Sequence, residues 1–421
     1  MSDTEYHPLD PAVLADPFPA YEALRTSCPV HHLEGFTPPF FTLTRYADVM
    51  DGLRDWGLWS IRYGDSPQYM RPAGLFNDPP AHTGFRKLFN RGFTPRTVAR
   101  LEGDIEALAR ELVEQALPAG AGDFREVFAS RLPSIIIARL IGVPPEDLGL
   151  FREMCDDLTA TYNLPDPSAS ERPRARLDAY FQDHIDERRG LLRAADVDVP
   201  GPEHLGEVVP DDLLSALVVA EEDGQVLGDD DLHLLLLLLL LGGLETSTAL
   251  LTNLVWRLLE DRSLWEAVQR DRALVDVAVE ESLRFDPPVL GLFRTPTRDV
   301  TLHGVGIPER SKVMLCFASA NRDVPNGLDH PDEFRLDRPL DRVRQHVTFG
   351  FGVHYCPGAH LARLEGQISL RVLLDLMPDL RLDGPTERIE PFLLWGRSRL
   401  PVRWATPADP DITSTGVGRR A

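Results

Sequence analysis

The chain has 421 residues, with 44 Lys and Arg against 66 Asp and Glu, for a net charge of −22. That deficit of cations excludes nucleic acid or an anionic membrane as a partner, since both reward excess positive charge. A 43% hydrophobic and 8% aromatic composition supplies a packed core and excludes wholesale disorder. Cys28, Cys155, Cys316 and Cys356 form no CxxC pair, so neither a disulfide framework nor a zinc ribbon is expected.

The N-terminus is acidic and Pro-rich and has no secretory signal pattern, which fits a cytoplasmic protein. Helical periodicity predicts a helix over 95–116, with Leu101, Ile105, Leu108, Leu112 and Val113 on one face and Thr94-Pro95 as its start. Further helices are predicted over 124–141, 148–161, 174–192, 210–221, 229–259, 263–268 and 272–285, with loops at 163–173, 196–210 and 222–228. The apolar run 232–244 contains Leu234–Leu241 unbroken. It is shorter than the ~20 residues a membrane span needs and reads as a buried core helix. After Pro287-Pro288 come short strands at 300–302 and 312–315, an irregular stretch at 321–345, a last helix at 357–377 and a terminal hairpin within 392–404. The pattern is mainly α with a minor β portion (α+β), one large domain over 1–405, and a frayed tail over 406–421.

Three stretches carry chemistry. In the first, Phe349 to Gly358, three glycines let the backbone turn tightly and approach a flat object. Cys356 falls at the start of a helix, where unpaired N–H groups favour a thiolate and lower its pKa. Such a thiolate is what an axial ligand to haem iron requires, although a lone cysteine is more often a small buried hydrophobe. In the second, Glu281 and Arg284 share a helix face; an arbitrary pair of this kind is usually a solvated surface contact. In the third, Gly242 and Gly243 interrupt the leucine-rich helix just before Glu245 and Thr246. Glycines inside a buried helix are costly, which points to a use for the missing bulk. Thr246 can bond the carbonyl one turn back, and Glu245 is an ionisable group in an apolar helix; a salt-bridged Glu245 beside a back-bonded Thr246 is the plainer alternative.

With these residues in order, the chain resembles the cytochrome P450 family, in its soluble bacterial class of haem-thiolate monooxygenases, from about residue 10 to 403. The family's pattern F-G-x-G-x-H-x-C-x-G followed by L-A-R is met from Phe349 to Arg363, and Gly-Gly-Leu-Glu-Thr is a variant of its A-G-x-E-T. The resemblance implies a P450-type domain enclosing haem b, with Cys356 as the metal ligand. Phe349, Gly350, Gly358 and Gly243 would lie against the cofactor, and His82, Arg86, Arg294 and His354 would hold its propionates. Glu245 and Thr246 would relay protons. Glu281 and Arg284 would support the cysteine loop by locking onto Arg335 or Arg338.

The implied reaction inserts one atom of O2 into a C–H bond. The chain carries no flavin or NAD fingerprint, so electrons would come from a ferredoxin and its reductase, with NAD(P)H as ultimate donor. The acidic ferredoxin would dock on Lys87, Arg91, Arg96, Arg342, Arg344 and Arg363. The substrate pocket implied is Trp59, Tyr69, Met70, Tyr162, Leu239, Gly242, Leu290, Phe293 and Leu393. These suit a lipophilic small molecule such as a terpenoid, fatty-acid derivative or steroid, with Arg62, Arg71 or Arg397 available for a carboxylate. The expected state is a monomer with no membrane span. A peroxide-using or oxygen-independent haem-thiolate enzyme and a haem-based gas sensor are the rival readings.

Overall fold

The computed structural model describes residues 6–70, 74–93, 95–162, 167–222, 225–323, 328–390 and 392–406. The leucine-rich segment becomes the axis of the molecule: one helix, Asp229–Glu260, begins on three aspartates that suit the positive end of a helix dipole. At 32 residues it is long and apolar enough to cross a membrane, yet 61% of its most apolar window is buried inside the fold. Leu235, Leu236, Leu239 and Leu240 sit in the largest hydrophobic cluster with side chains of the helices Glu102–Ala116, Arg131–Ile141 and Ala359–Leu376. Further along, buried polar residues take over. Asn253 donates to the carbonyls of Asp286 (3.1 Å) and Trp395 (2.8 Å), tying the helix to two distant segments.

The β portion centres on a five-stranded sheet. Val30–Leu33 pairs antiparallel with Phe40–Leu43, which pairs parallel with Lys312–Leu315. Leu292–Pro296 and then Trp59–Ser60 follow antiparallel, with Val313 opposite Arg294. This sheet delivers Arg294 to the interior, where it is buried.

Several predicted elements change shape. The helix over 95–116 divides at Leu101 into Pro95–Arg100 and Glu102–Ala116, and Thr94 lies outside the described residues. The stretch 124–141 opens with a π-helical turn, Arg125–Ala129, before Arg131–Ile141. The helix expected over 210–221 shortens to Leu213–Val218, capped by the Asp212 carboxylate. The terminal hairpin does not form. Arg397–Arg399 pairs with Glu387–Arg388, while Pro401–Arg403 pairs with Arg381–Leu382 and Ala121–Asp123. The two strands are separated by Leu400 alone, so they continue past one another into different sheets.

Candidate active site

The cysteine loop is built on backbone turns that only glycine adopts readily: Gly350 and Gly352 have φ of 69° and 70°. The Cys356 N–H donates to the Phe349 carbonyl (2.8 Å), closing the loop at the entry to the helix Ala359–Leu376. Burial pushes the Cys356 thiol up; the N–H groups of Gly358 and Ala359 and the charges of Arg86 and Arg363 oppose that rise without reversing it. The lowering expected from the helix start is therefore overturned, because desolvation outweighs the helix end. A coordinating cation deprotonates a thiol outright, so a raised pKa in the chain alone is compatible with ligation.

Around this loop the structure gathers two histidines and two arginines. The His82 and His354 rings meet edge-on at 4.3 Å, and His82 is buried. Burial and the neighbouring charges of Arg294, His82 and Arg86 drive His354 down to about 3, leaving it neutral, and its Nε2 has no partner among the described residues. Burial brings Arg294 down to about 10, against the opposing pull of Asp65 and Asp78; its guanidinium donates to the Phe293 carbonyl (2.9 Å). Among the described residues neither Arg86 nor Arg294 makes an ion pair. Buried cations without partners are costly, so this arrangement fits a dianionic group such as haem with its two propionates.

On the long helix, Thr246 Oγ1 donates to the Gly242 carbonyl (2.6 Å). Glu245 forms a bidentate pair with Arg125 (2.9 and 3.1 Å), both side chains being largely buried. In this structure the Glu245 carboxylate is committed to Arg125, as in the plainer of the two sequence readings. The two glycines separate in role. A Cβ on Gly243 would sit 2.4 Å from Ile137 Cδ1, so the close approach of the neighbouring helix also favours glycine here. A Cβ on Gly242 would meet nothing within 4 Å.

Sequence reasoning missed Glu365, which is buried against the long helix with no ion-pair partner among the described residues. Burial lifts it to about 7, with Ser247, the neighbour of Thr246, opposing. An acid two residues beyond Leu-Ala-Arg was the only signal, and residue type alone does not show burial.

The support pair is buried. Glu281 accepts from Arg284 at 2.7 and 2.8 Å and from Arg338 Nε at 2.9 Å. Arg338 is thus the side-chain partner; Arg335 offers only its backbone N–H (3.0 Å), and its guanidinium turns to Asp337. The remaining donors of Arg284 hold the carbonyls of Asn321, Pro331 and Glu333, fastening the irregular segment that leads into the cysteine loop. The neighbouring Glu280, also missed, is buried and pairs with Arg344, Arg363 and His346. The expected basic face is corrected accordingly: Arg363 faces Glu280 and is largely buried, leaving Lys87, Arg342 and Arg344 exposed. The side chains of Arg91 and Arg96 lie outside the described residues.

The expected pocket residues scatter. Trp59 packs in the core beneath the sheet with Phe41, Val49 and Val313. Phe293 and Leu290 belong to a third cluster, where Phe293 meets Phe40 at 5.0 Å, and Leu393 packs against it. Leu239 is in the main core, while Tyr69 and Met70 are exposed. Trp59 and Phe293 are both buried on strands, Trp59 on 59–60 and Phe293 on 292–296. Arg397 is buried and stacks on Trp256 at 3.7 Å. The side chain of Tyr162 and all of Arg71 lie outside the described residues.

Comparisons with known proteins meet the same site. The family model for cytochrome P450 matches residues 162–376. Cytochrome P450 109 of Bacillus spizizenii is 35% identical over 92% of this chain and 91% of its own. The vitamin D(3) 25-hydroxylase of Pseudonocardia autotrophica is 35% identical over 95% and 96%. The solved structure of the Bacillus subtilis bacillaene polyketide synthase cytochrome P450 PksS superposes with a TM-score of 0.83 at 30% identity, covering 96% of this chain and 100% of that one. With its glycine-turned cysteine loop and unpaired cations, the chain belongs to the cytochrome P450 family of haem b enzymes whose iron is held by a thiolate.

Proposed function

We propose that the protein is a cytoplasmic, monomeric monooxygenase that inserts one atom of dioxygen into a C–H bond of a lipophilic small molecule. Cys356 is its axial thiolate. Haem, when bound, supplies the oxygen-activating and C–H chemistry. The chain's own side chains do the rest. His82, Arg86, Arg294 and His354 take the propionates: the two arginines bring positive charge and the two neutral imidazoles bring ring N–H donors. Thr246 and Glu245 hold and move protons. For that, Thr246 Oγ1 must leave the Gly242 carbonyl and Glu245 must leave Arg125, so both groups work from a restrained ground state.

The observation that carries this reading is the convergence of the buried Arg294, the half-buried Arg86 and the two neutral histidines His82 and His354 on a glycine-turned cysteine. Relatives named for a vitamin D(3) hydroxylase and a polyketide-pathway P450 support a lipophilic substrate. Electrons come from a separate ferredoxin and reductase: the chain has no dinucleotide fingerprint, and its four cysteines are isolated. The ferredoxin docks by the exposed Lys87, Arg342 and Arg344, so electron transfer weakens as salt rises.

The test is oxygen-dependent product formation with ferredoxin, reductase and NAD(P)H, on a substrate chosen by its spin-state shift. Thr246→Ala diverts electrons to peroxide; unchanged coupling in that variant contradicts the relay.

A further inference from the structure

The surroundings of Glu280 form a continuous charged path from solvent to the cysteine loop. Its carboxylate is fully buried. Oε1 accepts from Arg344 Nε (3.1 Å) and Arg363 Nε (2.7 Å); Oε2 accepts from His346 Nε2 (3.0 Å) and Arg363 Nη2 (3.2 Å). His346 Nδ1 accepts from the Thr348 N–H (3.3 Å), which leaves the Nε2–H to donate, so this ring is neutral and adds no charge. Burial alone would raise Glu280, yet hydrogen bonds from His346 and Arg363 bring it down to about 2, so it is ionised at every working pH.

The two arginines sit at opposite ends. Arg344 is 48% exposed. Arg363 reaches inward: Nη1 donates to the Tyr355 hydroxyl (3.1 Å), and the guanidinium lies 4.5 Å over the Phe349 ring. Phe349 accepts the N–H of Cys356, and the charge of Arg363 acts on the Cys356 sulfur. One negative charge is therefore divided between a surface cation and a cation at the thiolate.

We propose that Glu280 is a positioning residue that couples the charge at Arg344 to the thiolate of Cys356, so that whatever neutralises Arg344 at the surface is felt at the iron. This rests on the reading of Cys356 as the axial ligand. When Arg344 is neutralised, more of the carboxylate's charge falls on Arg363, the sulfur's surroundings become less positive and the ferrous state is disfavoured. When Glu280 is neutralised, Arg363 is uncompensated and the ferrous state is favoured.

The experiment is a spectroelectrochemical titration of the haem-loaded enzyme, with the reduced carbon-monoxide spectrum recorded on each variant. Glu280→Gln raises the one-electron reduction equilibrium about tenfold, which is about 59 mV. Arg344→Gln lowers it about threefold, less because this side chain is solvent-screened. Arg344→Lys, which keeps the charge, restores most of the loss. Made on top of Glu280→Gln, the Arg344→Gln effect falls by half or more, because its anchor is gone; strict additivity overturns the coupling. If Glu280→Gln does not load haem, Arg344→Gln still decides, and an unchanged potential in that surface variant overturns the proposal. A wild-type enzyme without the red-shifted band of thiolate ligation defeats the Cys356 reading instead, and the two failures are told apart by that spectrum.

Discussion

Replacing Glu281 by Gln keeps the shape of the side chain and removes its charge. In the native structure that carboxylate is completely buried and receives Arg284, Arg338 and the Arg335 N–H. The variant leaves two guanidinium groups, 1% and 4% exposed, without a counter-ion. Breaking one side of a buried pair costs about 3–5 kcal/mol. For 421 residues the unfolding entropy is about 0.9 kcal/mol per kelvin, so the expected fall in Tm is about 3–6 °C. Haem retention should fall as well, since Arg284 pins the segment that feeds the cysteine loop. Calorimetry on the purified variant, with its haem-to-protein ratio, measures both. Arg335→Ala is the contrast: its guanidinium meets exposed Asp337, and only its backbone N–H reaches Glu281, so its Tm should move little. A Glu281→Gln protein melting within about 1 °C of wild type and fully loaded with haem would refute the reasoning.

Gly243→Ala should destabilise by about 1–3 kcal/mol through its clash with Ile137, and Ile137→Ala should recover part of that loss in denaturant titrations. Arg125→Ala and Glu245→Gln break the same bidentate contact, so a double-mutant cycle in stability should show a coupling of about 1–3 kcal/mol; additive effects would remove the pair from the working protein. Glu365 has its folded pKa raised from 4.5 to about 7, so the native state binds more protons than the unfolded state between those values. Its stabilising contribution is complete below about pH 4.5 and is lost as pH rises through 7, up to about 3 kcal/mol. Glu365→Gln should therefore gain on wild type as pH rises from 5 to 8, and parallel Tm profiles would contradict the assignment.

Local features were readable from sequence, because their geometry is set by neighbours along the chain. Gly350 and Gly352 take the left-handed turns that their spacing suggests, and Cys356 falls at the helix start. The strands 300–302 and 312–315 also stand where the sequence reading puts them. Pairings across long separations were not readable. Arg125 and Glu245 lie 120 positions apart, and nothing in either local pattern indicates the other. Glu280 stands beside Glu281, and helix spacing does not reveal that both side chains are buried. The direction of the Cys356 shift was misread for a related reason: helix ends are visible in sequence, and desolvation is not. The terminal hairpin failed because Leu400 alone separates two strands with different partners.

Whether Cys356 is the iron's thiolate is tested most directly by the absorption spectrum of the reduced, carbon-monoxide-saturated protein. Wild type should show the strongly red-shifted Soret band of thiolate ligation, and Cys356→His should retain haem through the His82, Arg86, Arg294 and His354 cluster while losing that band. The same red-shifted band in Cys356→His would contradict the assignment.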